Sequence, residues 1–284
     1  MRLVRLAGGD QVPALGLGTW RMGEAKRTRA ADVAAVKTAL AIGYRLIDTA
    51  EMYGDGGAEE VVGAAIQETL QAGNVSRTEL TVVSKVLPSN ASHADVLRAC
   101  KRSLKRLQLD VIDLYLLHWR GSVPLKETVA AFEQLRNEGR IRHWGVSNFD
   151  TADMQQLWSL PVGANCVANQ VYYSASKRGV EFDLLPWQRN HDVVTMAYSP
   201  IDQGALARDT TFAAIGRRHG VSASSVALAW VLQQPDVIAI PMSASEPHLR
   251  ENFAAANLEL NADDLAQIDA QFPPPKRKRP LATT

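Results

Sequence analysis

Apolar residues fall into short runs separated by longer stretches of helical periodicity. Leu15 to Gly18, Arg45 to Asp48, Leu80 to Lys85, Val111 to His118, His143 to Ser147, Val167 to Gln170, Val193 to Tyr198 and Val237 to Ile240 read as eight short, nearly continuous apolar strands. Between them, Ala30 to Ile42, Ala58 to Gln71, Ala94 to Leu107, Leu125 to Glu138, Thr151 to Trp158, Phe182 to Arg189 and Ser222 to Leu232 read as helices. Repeated strand-helix units demand a parallel sheet covered by helices. Eight of them in 284 residues match an α/β fold of the closed (β/α)8 TIM barrel type better than an open doubly wound sheet. Ahead of the first unit, Leu3 to Leu6 and Gln11 to Ala14 read as a β-hairpin across Ala7-Gly8-Gly9-Asp10, expected to close the bottom of the barrel. No break in composition marks a second domain, so residues 1–284 are expected to form one barrel domain, with the hairpin over 1–14 and a Pro-rich basic tail over 272–284.

Composition narrows the partners rather than the fold. A hydrophobic content of 46% supports a sizeable core, and 31 basic against 30 acidic residues give a net charge of +1, no global field for nucleic acid or an anionic membrane. No apolar run approaches the ~20 residues of a spanning helix, and the opening MRLVRLAGGD lacks the apolar region of a signal peptide. A cytoplasmic protein, monomeric or weakly associating, is expected. Cys100 and Cys166 are far apart with no nearby Cys or His pairing, so they read as core residues and no metal site is expected. The run Lys276 to Arg279 follows three prolines and reads as a solvated, partly extended tail rather than a nucleic-acid patch.

Candidate chemistry gathers at strand exits. Asp48 ends one strand and Tyr53 lies in the Gly-containing loop after it; Lys85 ends the next strand, and His118-Trp119 the one after that. In a parallel barrel, residues at the carboxyl ends of strands converge on one mouth. An acid, a phenol, an amine and an imidazole would therefore share a site.

These residues lie in stretches that resemble the aldo-keto reductase family: LGLGTW (Leu15 to Trp20), DTAEMYG (Asp48 to Gly54), SKV (Ser84 to Val86), LLHW (Leu116 to Trp119), GVSN (Gly145 to Asn148), NQV (Asn169 to Val171) and AYSP (Ala197 to Pro200). The match runs in order over nearly the whole chain, and within the family it is most similar to the bacterial methylglyoxal-reductase type, which carries similar DTAEMY, LLHW and DLLPW stretches. The resemblance implies a catalytic tetrad of Asp48, Tyr53, Lys85 and His118. Hydride arriving at a carbonyl carbon leaves charge on oxygen, so a proton donor must stand beside it, and Tyr53 is that donor by resemblance. Lys85 is expected to draw the phenol down from ~10 towards ~7, with Asp48 keeping the ammonium charged and His118 orienting the carbonyl.

No Rossmann G-x-G-x-x-G follows the first strand; Leu15-Gly16-Leu17-Gly18 lacks the third glycine and the helix start. By resemblance, the cofactor is NADPH, with Ser147, Asn148 and Gln170 on the carboxamide and Tyr198 stacked on the nicotinamide. Ser199, Pro200, Ile201, Gln203 and Gly204 belong to a loop over the pyrophosphate, and Ile240, Met242, Ser243, His248, Glu251 and Asn252 to the adenosine-phosphate segment. Many relatives have Lys at the position of Met242 and Arg at that of His248, cations that grip the 2′-phosphate. NADPH ranks first with NADH possible, Ser243, His248 and Arg250 being left to hold the phosphate. Trp20 and Trp119 are expected to wall the substrate pocket. The function implied is reduction of small aldehydes and ketones, methylglyoxal-like dicarbonyls foremost. The alternatives are an NADH-preferring reductase, a nucleotide-sensing barrel with little turnover, and an aldolase using Lys85 as a Schiff base.

Overall fold

The computed structural model describes residues 2–24 and 28–283. Met1 and Thr284, the outer ends of the expected hairpin and tail, lie outside the described residues. The chain opens with β1 (Leu3–Arg5) and β2 (Gln11–Pro13), antiparallel, with Val4 opposite Val12. The order is then β3 (Leu17–Gly18), α1 (Arg29–Ile42), β4 (Leu46–Asp48), α2 (Gly57–Gln71), β5 (Thr81–Val86), α3 (His93–Leu107), β6 (Ile112–Leu117), α4 (Leu125–Asn137) and β7 (Ile141–Ser147). It continues with α5 (Thr151–Trp158), β8 (Cys166–Tyr172), α6 (Leu184–Arg189), β9 (Val194–Tyr198), α7 (Thr210–His219), α8 (Ala223–Leu232), β10 (Val237–Ala239), α9 (Glu246–Ala255) and α10 (Ala262–Gln271).

β3 to β10 lie side by side in sequence order, all parallel. The ends of this sheet meet: the Gly16 N–H donates to the Ala239 carbonyl at 2.9 Å, the Ala239 N–H to the Ala14 carbonyl at 2.8 Å, and the Gly18 N–H to the Pro241 carbonyl at 3.0 Å. Closure removes the unpaired edges of the sheet and makes the (β/α)8 barrel. The strands are buried on both faces, as the continuous burial of β6 shows. Its one acid, Asp113, is accommodated because Arg77 and the Val82 N–H donate to it at 2.7 and 2.9 Å. β7 and β8 approach so closely that a Cβ on Gly145 would stand 2.3 Å from the Ala168 carbonyl oxygen, and only glycine fits.

The hairpin covers the amino ends of the strands. Arg2 donates to the carbonyls of Gln234 and Val237 at the start of β10, and Asp10 meets His143 near the start of β7 at 2.8 Å. Val4, Leu6, Val12 and Ala14 are buried beneath it. The other end of the barrel is left as the mouth.

Neither α7 nor α10 was anticipated from the sequence pattern. α7 has only Phe212 and Ile215 as large buried residues, too few to reveal its period, and starts because Asp209 accepts from the Thr211 and Phe212 N–H groups. α10 buries little beyond Ile268 and Asp264, the latter held by Arg218, His219 and the Asn261 N–H. The tail also departs from a freely solvated one. Arg178 donates to the Phe272 carbonyl at 2.7 Å, Lys278 lies 3.1 Å from Asp183 and 3.9 Å from Asp150, and Leu281 packs on the core. Asp150 and Asp183 follow β7 and β8, so the tail runs past the loops on the mouth side. No helix among the described residues is long and apolar enough to cross a membrane.

Candidate active site

Strand register decides which side chains meet. Asp48 pairs with Val83, and Lys85 lies two residues farther along β5, on the same face. Lys85 pairs with Leu116, two residues before His118; Leu116 pairs with Gly145, two residues before Ser147; Ser147 stands opposite Gln170. Steps of two residues, the side-chain period of a strand, climb around the barrel. The exits of β4 to β9 thereby share one mouth.

Lys85 is fully buried, and its ammonium donates to Asp48 Oδ2 at 2.7 Å, to the Thr49 carbonyl at 2.8 Å and to Tyr53 Oη at 3.3 Å. The second carboxylate oxygen of Asp48 accepts from Gln170 Nε2 at 2.7 Å. Every neighbour of the carboxylate is a donor and every neighbour of the amine an oxygen, so the pair is assigned as an ion pair. Burial pushes the Lys85 ammonium down, but Asp48 and Tyr53 together raise its pKa above the ordinary value. A charged, anchored amine is a poor Schiff-base nucleophile, which argues against the aldolase alternative.

Tyr53 departs from expectation. Burial raises its pKa above the ordinary phenol value; Lys85 pulls it down and Asp48 pushes it up, with burial the larger effect. The expected descent towards neutrality is not what this site gives: the phenol holds its proton. His118 faces it edge-on, the ring centroids 5.7 Å apart, with Trp119 packed at 4.9 Å on its other neighbour contact. Burial, and then the charge of Lys85, push the His118 imidazole down to about 2. Its Nδ1 has no partner among the described residues, and the lowered pKa leaves the ring neutral at pH values near 7.

Beside the tetrad runs a row of amide and hydroxyl groups. Ser147 Oγ donates to the Gln170 carbonyl at 2.9 Å; Asn148 Nδ2 donates to Ser147 Oγ at 3.1 Å and to the His118 carbonyl at 3.2 Å; the Tyr198 hydroxyl donates to Asn148 Oδ1 at 2.8 Å. Since Gln170 also reaches Asp48, this row touches the tetrad. It offers a planar amide-binding strip next to an aromatic ring, which fits a nicotinamide carboxamide and its ring.

After Tyr198, Ser199, Asp202, Gln203 and Gly204 all take left-handed backbone, so Ser199 to Gly204 with buried Pro200 and half-buried Ile201 form a tight loop. Asp202 pins it by accepting from the Tyr172 and Ser176 hydroxyls. After the neighbouring strand β10, Ile240 and Ser243 are buried, Met242 is 37% exposed, and α9 presents exposed His248, half-buried Glu251 and buried Asn252. Arg250 is held by Glu246, at 2.8 and 3.0 Å. Trp20 and Trp119 are both more than a third exposed, as is Met52, and all three follow strands at the mouth. Such exposed large apolar groups suit a binding rim.

Sequence reasoning missed Met52, Asp202 with its partners, and the buried carboxylates Glu51 and Glu59. Met52 and Glu51 sit inside the quoted DTAEMYG stretch, but the exposure of Met52 and the partners of Glu51 depend on other elements, and no local spacing reveals them.

Known proteins resemble this chain over nearly its whole length. A model of the Aldo/keto reductase family matches residues 14–271. The chain is 45% identical to methylglyoxal reductase YeaE of Escherichia coli (strain K12), over 99% of this chain and 98% of that one. It is 35% identical to glyoxal reductase of Bacillus subtilis (strain 168), over 94% and 91%. The crystal structure of an aldo-keto reductase from Klebsiella pneumoniae in complex with NADPH superposes with a TM-score of 0.94 at 46% identity, covering 100% of this chain and 99% of that one.

The neutral His118 has a thermodynamic consequence. Unfolded, it titrates near 6.5; folded, at about 2, so between these values the unfolded chain carries the extra proton. The stability it contributes is complete above about pH 6.5 and is lost as pH falls, by about 1 kcal/mol per pH unit. Urea unfolding should therefore show a steeper loss in the wild-type protein than in His118→Asn between about pH 6 and about pH 5. Equal losses would mean that His118 is already protonated in the fold.

Proposed function

The chain belongs to the aldo/keto reductase family, and on that premise we propose that it reduces small aldehydes and ketones with NADPH, methylglyoxal-like dicarbonyls foremost, Tyr53 being the proton donor. The observation that carries this reading is the protonated Tyr53 hydroxyl 3.3 Å from a buried, charged Lys85 at the barrel mouth. NADPH, when bound, supplies hydride to the carbonyl carbon. Ser147, Asn148 and Gln170 would hold its carboxamide, and Tyr198 would lie against the ring.

Tyr53 keeps its proton until negative charge develops on the carbonyl oxygen. It then donates, and the phenolate that results is stabilised by Lys85, held in place by Asp48. Neutral His118 has an N–H to offer the same oxygen and, unlike an imidazolium, adds no second positive charge beside Lys85. Trp20, Met52 and Trp119 would line the approach and exclude water, which strengthens these interactions. The substrate class rests on the likeness to the methylglyoxal and glyoxal reductases. One barrel domain acting as the unit of function remains the domain reading.

A second reading, use of NADH, is favoured by the other end of the cofactor site. Met242 supplies no charge, and the Arg250 guanidinium is engaged by Glu246, so the 2′-phosphate is left with Ser243, His248 and whatever Arg250 can spare.

Two experiments follow. With methylglyoxal as substrate and the absorbance of the reduced cofactor as readout, Tyr53→Phe should lower kcat by about a hundredfold or more while leaving NADPH affinity unchanged; unaltered turnover would remove Tyr53 from the donor role. In parallel titrations with NADPH and NADH, Met242→Lys should tighten NADPH about tenfold and leave NADH where it was. A gain shared by both nucleotides would place residue 242 away from the 2′-phosphate.

A further inference from the structure

Tyr53 opens a tight turn with few hydrogen bonds of its own, the Asp55 N–H reaching the Met52 carbonyl at 3.3 Å and the Gly57 N–H the Tyr53 and Gly54 carbonyls. Gly54, Asp55 and Gly56 are consecutive left-handed residues, with φ of 59, 53 and 88°, and Asp55 gains nothing from such backbone. Backbone of this kind gains from anchors outside the turn.

Two buried carboxylates flank the turn, and both reach the strand that carries Lys85. On one side, Glu51 Oε1 accepts from the Leu87 N–H at 2.8 Å and from Asn90 Nδ2 at 2.9 Å, while its Oε2 lies 3.5 Å from Arg102. On the other, Glu59 Oε1 accepts from Ser84 Oγ at 2.6 Å and Oε2 from Arg106 Nε at 2.6 Å. Ser84 directly precedes Lys85, and Leu87 is two residues beyond it. The Glu51 N–H also points to the Lys85 carbonyl, at 3.3 Å. The turn bearing the phenol is thus fastened to both flanks of the amine.

We propose that Glu51 is a positioning residue that sets the Tyr53 hydroxyl against the Lys85 ammonium by anchoring the Tyr53 turn to the exit of β5. The role rests on the reduction proposed above. Glu51 works through geometry rather than charge: the groups acting on the Tyr53 proton are Lys85 and Asp48, and the negative charge of Glu51 faces Arg102 on the outer side. With the anchor gone, the donor would move relative to the amine while the amide row of Ser147, Asn148 and Gln170, on other strands, stays as it is. A displacement of about 1 Å at a reacting group is enough to cost up to about a hundredfold in rate.

The test uses the full chain and three variants, with NADPH oxidation by methylglyoxal giving kcat and the quenching of protein fluorescence giving NADPH affinity. Glu51→Ala should lower kcat about tenfold or more with nucleotide affinity unchanged. Glu51→Gln should recover most of the loss, because the amide oxygen still accepts from Leu87 and Asn90. Asn90→Ala, at a half-buried position, should fold and show a smaller fall in kcat of the same kind. Wild-type kcat in Glu51→Ala, an equal defect in Glu51→Gln, or loss of NADPH affinity in step with kcat would each overturn the proposal. If Glu51→Ala does not fold, unchanged kcat in Asn90→Ala overturns it. Failure of the reduction itself is told apart by the wild-type protein, which would then bind NADPH without oxidising it for any carbonyl offered.

Discussion

The ion pair between Lys85 and Asp48 lies where water cannot reach it, and much of the barrel mouth is arranged to make that tolerable. Stripping an ammonium and a carboxylate of water costs several kcal/mol for each, and a single contact between them does not repay it. Here the deficit is met by the Thr49 carbonyl, the Tyr53 hydroxyl and the Gln170 amide, drawn from the loop after β4 and from β8. Those groups arrive only if β4, β5 and β8 are in register to the residue. A slip of one position would turn Lys85 to the opposite face of β5 and leave Asp48 unpaired.

The same pair fixes the electrical character of its neighbours. Lys85 helps to keep His118 neutral, and burial keeps the proton on Tyr53 despite the nearby ammonium. One fixed positive charge, a phenol that holds its proton and an uncharged imidazole are what a carbonyl needs when it gains electron density on oxygen. On the proposed reading, Gln170 adds a further link, since the amide that would face the carboxamide of a bound nicotinamide also holds Asp48. Cofactor binding and the polar network would then share a residue.

Much of this was legible in the sequence because it depends on strand ends. The eight apolar runs, the hairpin and the convergence of Asp48, Lys85 and His118 follow from period and position alone, and the DTAEMYG, SKV and LLHW stretches supplied the family. What was not legible depends on burial or on partners distant in sequence. The direction of the Tyr53 shift reverses because the phenol loses more from desolvation than Lys85 returns, and no local pattern reports how closely protein will crowd a side chain. Nothing local marks Glu51, because the Leu87 N–H and Asn90 that meet it lie more than thirty residues away in sequence. α7 and α10 were missed because each hides so few large apolar residues, and the fastening of the tail because Asp150 and Asp183 belong to loops far from Lys278 in sequence.

On the proposed reading, the buried pair serves chemistry and not stability. The decisive protein is the doubly neutralised variant, Asp48→Asn with Lys85→Met, followed by urea unfolding and by NADPH oxidation. This protein should be at least as stable as the wild type, since an uncharged pair of similar size carries a far smaller desolvation cost, with turnover down by about a thousandfold. A double variant that is several kcal/mol less stable, or one that still turns over, would contradict it.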